Sequence, residues 1–165
     1  MPEIVFDNCV LSNFALSDSL HIIKSLYENK AYITDFVSSE NLKGIFSGYQ
    51  GLVKIREAAR DGWLKETALK NMKEKTLFES LAVSIGFGEA SGIAVAKTRG
   101  FVFACDDKAA RREAGLLGVK LTGTIGILIK GVKKNVINSR QADKILHRMT
   151  AYGFYCPVSS IKEIL

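Results

Sequence analysis

The residues of this chain best suited to joint chemistry are carboxylates: Asp7, Glu40, Glu89 and Asp106, with Asp107 beside the last. Each of the first four falls at or just beyond the end of a stretch that reads as a strand, or in the first turns of a helix that follows one. Parallel strands would gather such positions at one edge, and open α/β sheets place their sites at the carboxyl ends of their strands. Carboxylates crowded into one cleft repel one another unless protons or cations compensate. All-oxygen ligation with retained water is what Mg²⁺ or Mn²⁺ takes. One or two such ions lower the pKa of a bound water, orient it in line with a phosphodiester and stabilise the leaving oxygen. The pattern therefore predicts nuclease chemistry.

The elements that must position these acids are legible in the hydrophobic pattern. Residues 3–7 read as an apolar strand ending on Asp7, followed by a turn that leads into a helical segment over 8–14. A helix with a core-facing stripe runs over 17–28, and AYIT at 31–34 reads as a second strand. Asp35 can cap the next helix, which carries Glu40 and gives way to a loop over 41–51. Residues 52–61 are helical and closed by Gly62, 63–69 form a short extended or irregular link, and Met72, Leu77, Leu81 and Ile85 mark another helix. After the break at Gly86–Gly88, small residues recur at helical spacing, so Glu89 sits in a first turn. The continuous apolar run 101–105 suits a strand buried on both faces and stops at Asp106-Asp107. A helix over 108–117 has an apolar face at Ala109, Ala110, Ala114 and Leu117, and 119–122 is a strand. Helices follow over 123–134 and from a Ser139 cap, FYCPV reads as an edge strand interrupted by Pro157, and 159–165 makes a last helical turn.

Short alternating helices and strands define an α/β protein with a parallel sheet, here expected as one domain over 1–165. The 47% hydrophobic fraction fits an ordinary core. No apolar run approaches the roughly 18–20 residues that span a bilayer, and the N-terminus has no signal-peptide pattern, so the expected location is cytoplasmic, away from membranes. Cys9, Cys105 and Cys156 show no CxxC or Cys/His cluster, which argues against a disulfide framework or zinc, and Cys105 is expected in the core. The net charge of +6 has the sign that favours a polyanionic partner.

FDNCVLSNF, then V-x-x-E at Val37 to Glu40, GEASGIAVA from Gly88 and FACDDKAARREAGLLGVKLTGTIGIL from Phe103 arrive in the order of a PIN domain. Over most of its length the chain resembles the VapC-type ribonuclease toxins, in the subgroup with a GEA motif and a DD-x-x-A-R stretch. That resemblance implies a three-layer α/β/α sandwich around a short parallel sheet. It also implies Asp7, Glu40, Glu89 and Asp106 as catalytic acids holding Mg²⁺ or Mn²⁺, with Asp107 as an adjacent metal helper or helix cap. Implied partners are an RNA substrate, a cognate antitoxin protein and a second copy in a homodimer. Asn8 stands where many PIN domains carry Thr or Ser, a departure that bears on metal binding.

Taken singly, each acid also has a plain structural reading. Asp106-Asp107 can cap a helix, Glu89 can complement a helix dipole, and Asp7 can cap the turn at Cys9 and Val10. Lys130, Lys133, Lys134, Arg140, Lys144 and Arg148 can face RNA or simply water, and His21 and His147 have no partner at metal spacing. The alternative from another class is a catalytically weak or inactive PIN-like module that binds nucleic acid or protein. A haloacid-dehalogenase phosphatase needs a second Asp two residues after the first, where this chain has Cys9. A receiver domain needs its acidic pair after the first strand.

Overall fold

Strand and helix alternate through the chain, which a computed structural model describes over residues 2–165. Strands β1 (Ile4–Phe6), β2 (Ala31–Thr34), β3 (Leu64–Thr67), β4 (Val102–Ala104) and β5 (Leu121–Thr122) pair in parallel, in the order β3-β2-β1-β4-β5. The helices are α1 (Asn8–Leu16), α2 (Leu20–Tyr27), α3 (Asp35–Phe46), α4 (Val53–Asp61), α5 (Met72–Leu81), α6 (Phe87–Arg99), α7 (Lys108–Leu116), α8 (Thr124–Lys133) and α9 (Ser139–Ala151).

Side chains alternate across the central strands, and both faces are buried, as the apolar runs require. Ile4, Phe6 and Ala104 join Phe14, Ile23, Ile127 and Leu146 on one face. Val5, Phe103 and Cys105 join Ala90, Ile93 and Ala110 on the other. Helices thus cover both faces of a short parallel sheet, which is the expected three-layer sandwich. Each large aliphatic or aromatic side chain fully buried this way contributes about 1.5–3 kcal/mol.

Helix α6 lies against β4 because its middle is made of small residues. A Cβ at Gly92 would stand 2.5 Å from Cε1 of Phe103. The far end of α6 is tied down by Arg99, whose Nε donates to Glu74 Oε1 at 2.8 Å and whose Nη2 donates to Oε2 at 3.1 Å. Arg99 also donates to Thr67 Oγ1 and to the Ala68 carbonyl, both at 2.8 Å, and Glu74 is only 1% exposed. One guanidinium thereby joins β3, α5 and α6.

Several local expectations are corrected. Residues 8–14 are helical from the first residue, with no intervening turn. The N-cap of α3 is Thr34, whose hydroxyl accepts from the Val37 N–H at 3.3 Å, and Asp35 lies in the first turn. Helix α3 continues past Asn41 to Phe46, because Asn41 is buried with its Nδ2 on the Leu52 carbonyl at 3.2 Å, and Gly44 packs on Leu52. Of the two forms open to the link at 63–69, the extended one holds: it contains β3, which extends the sheet from β2. Helix α9 is capped by Asn138 in a reciprocal pair with Gln141 rather than by Ser139. Ala110 and Ala114 of α7 are buried as expected, whereas Ala109 faces solvent. FYCPV is irregular rather than a strand, and the chain after it ends in a 3₁₀ turn, Ile161–Ile164, held by Asp143 through the Ile161 N–H at 2.6 Å.

Candidate active site

The sheet order reverses direction between β1 and β4, and that switch point opens a crevice beyond the carboxyl ends of the two strands. Asp7 follows β1 directly, with its N–H on the Ala104 carbonyl at 2.9 Å, and Asp106 lies two residues past β4. Parallel pairing of Phe6 with Ala104 therefore delivers both acids to the same place. Helix α6 runs antiparallel to the strand it precedes, so its first turn, with Glu89, returns to that edge. Helix α3 leaves the end of β2 and brings Glu40.

Glycine makes the approach of the last two elements possible. The Gly88 N–H supports the Glu40 carboxylate, and a Cβ at Gly88 would clash with Glu40 Oε1 and stand 2.9 Å from its Cδ. The Gly of the GEA stretch is thus the surface on which Glu40 rests. A second close approach holds Asp106: a Cβ at Gly123 would lie 2.5 Å from Asp106 Oδ1. The N–H of Thr124 donates to that oxygen at 2.9 Å, and its hydroxyl donates to Oδ2 at 2.6 Å. Asn13 Nδ2 reaches Asp106 Oδ2 at 3.4 Å and Thr124 Oγ1 at 3.1 Å.

The acids interact electrically. Burial pushes Asp7 up to about 6, against the pull of the Asn8 and Cys9 N–H groups, and the charges of Glu40 and Asp106 add to the rise. Asp7 is only 3% exposed and forms no complete capping bond with α1, so its side chain is not explained by helix capping. Burial also raises Glu89, to about 7, reinforced by the charges of Asp7 and Asp107, a hydrogen bond with Asp107 and the charge of Glu40. Glu40 is raised by burial, with the Gly88 N–H and Lys43 opposing. The Cys9 thiol is pushed up to about 12 by burial and then by the fields of Asp7, Glu89, Glu40 and Asp106. A thiol held protonated this way is not a nucleophile.

Asp7, Glu40, Glu89 and Asp106 thus share one electrostatic neighbourhood, with Asp107 at its margin. Asp107 is exposed and caps α7, accepting from the Ala110 N–H at 3.0 Å. Among the described residues no three His, Cys, Asp or Glu side chains stand together closely enough to hold a metal ion. An open set of oxygen donors is nevertheless what a hard, water-retaining cation such as Mg²⁺ uses, taking one or two carboxylates rather than a full protein shell. Glu89 Oε2 and Asn8 Oδ1 are buried with no hydrogen-bond partner. These unsatisfied acceptors beside mutually repelling carboxylates fit a divalent cation.

Asn13 and Thr124 were not singled out from sequence. Both fall inside stretches that carry the family resemblance, but nothing about their type or spacing marks them as supports for Asp106.

No curated protein matches the chain. A family model described as a PIN domain matches residues 3–165. Domains of that description are generally nucleases, and the sheet order and placement of acids in this chain agree with such a fold. With nearly the whole chain under one model, the protein belongs to the PIN-domain family.

Proposed function

We propose that the protein is a metal-dependent endoribonuclease, a single VapC-like unit that serves as the toxin of a type II toxin–antitoxin pair. The observation that carries this reading is the shared electrostatic neighbourhood of Asp7, Glu40, Glu89 and Asp106 beyond the strand ends, with burial and mutual repulsion raising Asp7 and Glu89. Those four carboxylates would hold Mg²⁺ or Mn²⁺, with Asp107 adjacent. When bound, the ion supplies an activated water and stabilises charge on the leaving oxygen. Asp7 and Asp106 are the fixed members: Asp7 is set by the β1–β4 pairing, and Asp106 is clamped by Thr124 and Asn13.

The excess of basic residues favours RNA as the polyanion. A cognate antitoxin would act by covering the acidic crevice. In support of a homodimer, Phe36 and Phe78 pack tilted against each other, both meet Phe87 edge-to-face beside the start of α6, and Phe87 and Val83 are exposed there. One observation favours the second reading, a weak or inactive binding module. Both Asp106 oxygens already accept hydrogen bonds within the protein.

Induced expression in a bacterial host, with total RNA sequenced for new ends, tests the proposal. The expected result is growth arrest with discrete RNA cleavage, absent from a variant carrying Asp7→Asn and Asp106→Asn. Intact RNA in growing cells that contain the folded protein would favour the binding module.

A further inference from the structure

A cleft of about 580 Å³ runs outward from the acid cluster, within the roughly 300–1,000 Å³ range of built ligand sites. Asp106 and Asp107 are among its lining residues, together with the rings of Tyr49, Tyr152, Phe154 and Tyr155 and the aliphatic side chains of Leu16 and Leu52. Three of these rings are exposed to an unusual degree: Tyr49 is 56%, Tyr152 61% and Tyr155 85% accessible. They come from separate parts of the chain, Tyr49 from the turn after α3 and the others from the segment after α9, and they converge on one side of the acids. Two exposed lysines are chain neighbours of lining residues. Lys43 precedes Gly44, and Lys108 follows Asp107.

Resting on the ribonuclease reading, we propose that this cleft holds unpaired bases next to the scissile phosphate, stacked on Tyr49, Tyr152 and Tyr155. Flat phenol faces accept any base through its π-surface, while adjacent lysines hold the backbone. A duplex keeps its bases stacked inside and offers no such face. Continuity with Asp106 gives the stacked base its purpose: it fixes the register of the strand so that a neighbouring phosphate lies over the carboxylates. An aliphatic peptide helix would call for a groove of Leu, Ile and Val, whereas this lining holds four aromatic rings against two leucines.

The test is binding of a short fluorescein-labelled single-stranded RNA, measured by anisotropy with Mg²⁺ in an Asp7→Asn parent that does not cleave. Tyr152→Ala and Tyr155→Ala are each expected to weaken binding roughly 5- to 150-fold. Phenylalanine at either position keeps the ring and retains the parent's affinity. An abasic strand binds weakly to parent and variants alike. The exposure of these side chains means the variants fold, which an unchanged melting temperature verifies.

Alanine variants that bind as the parent does, or an abasic strand that binds as tightly as one with bases, would overturn the inference and leave the cleft to a protein partner. If the wild-type protein cleaves RNA while its alanine variants bind and cleave equally well, the cleft inference fails and the ribonuclease reading stands. If the parent discriminates as expected but the wild type never cleaves, the ribonuclease reading fails and the stacking cleft stands. A parent that binds no RNA overturns the cleft inference outright.

Discussion

Replacing Arg99 by Met should be among the most destabilising single changes available in this protein. The guanidinium makes two hydrogen bonds to Glu74, one to Thr67 and one to the Ala68 carbonyl, all between 2.8 and 3.1 Å. Its side chain is 16% exposed and that of Glu74 is 1% exposed, so solvent cannot take over the lost bonds. Removing one partner of a buried pair strands the other charge, at a cost of about 3–5 kcal/mol. For a chain of this size that is roughly 6–20 °C in Tm. The pair also titrates: hydrogen bonding to Arg99 holds Glu74 down at about 2. A carboxylate depressed in the folded state stabilises above its unfolded pKa near 4.5, and that contribution is lost as pH falls toward 2. Thermal melts of wild type and Arg99→Met at neutral pH and through the acid range are the assay. The wild type should lose its advantage over the variant as pH drops below about 4.5. Glu74→Leu combined with Arg99→Met should recover much of the loss, because both charges are then gone. A variant melting within about 1 °C of wild type at neutral pH would refute the claim that this pair clamps α6.

Gly88→Ala should separate stability from activity. Alanine favours the helix by about 0.8–1 kcal/mol, yet its Cβ displaces the Glu40 carboxylate, so Tm should hold or rise while RNA cleavage falls by roughly 100-fold. Thr124→Val removes the 2.6 Å hydroxyl bond to Asp106 while keeping the backbone donor, and single-turnover cleavage should drop roughly tenfold with little change in fold by circular dichroism. In metal-free protein, Asp7 and Glu89 have folded pKa values raised above their unfolded ones, so they contribute no penalty below about pH 4 and an increasing one as pH climbs to about 7. A series of melts in EDTA should therefore show this contribution lowering Tm over that window, and Asp7→Asn should flatten it.

The strand ends were the most legible part of the sequence. The run Phe101 to Cys105 stops on two acids, and Ile4 to Phe6 stops on one, so the positions of Asp7 and Asp106 follow from where apolar residues give out. Sheet order decided that these two meet, and strand pattern alone does not state that order. Helix boundaries failed where two neighbours could do the same task. Thr34 and Asp35 can both cap, and the hydroxyl of Thr34 is the one in reach of Val37. Gly44 looks like a breaker but lies inside α3, because Leu52 occupies the space a Cβ would fill. Strand β3 reads no more firmly than an extended or irregular link because LKET has a polar, exposed centre and lies at the sheet edge. The supports of the site were hidden by distance along the chain, since Asn13 meets Asp106 from 93 residues away and Thr124 from 111. The aromatic cleft was hidden for the same reason, its rings being drawn from the segment after α9 and from the turn after α3.

The most direct test of the central claim is the rate of cleavage of end-labelled single-stranded RNA by purified, partner-free protein in Mg²⁺ or Mn²⁺, beside EDTA and a variant carrying both Asp7→Asn and Asp106→Asn. Discrete cleavage that disappears under either control is the predicted result. Intact RNA across both metals with a folded protein, or cleavage that survives EDTA and the double substitution, would contradict a metal-dependent nuclease centred on these acids.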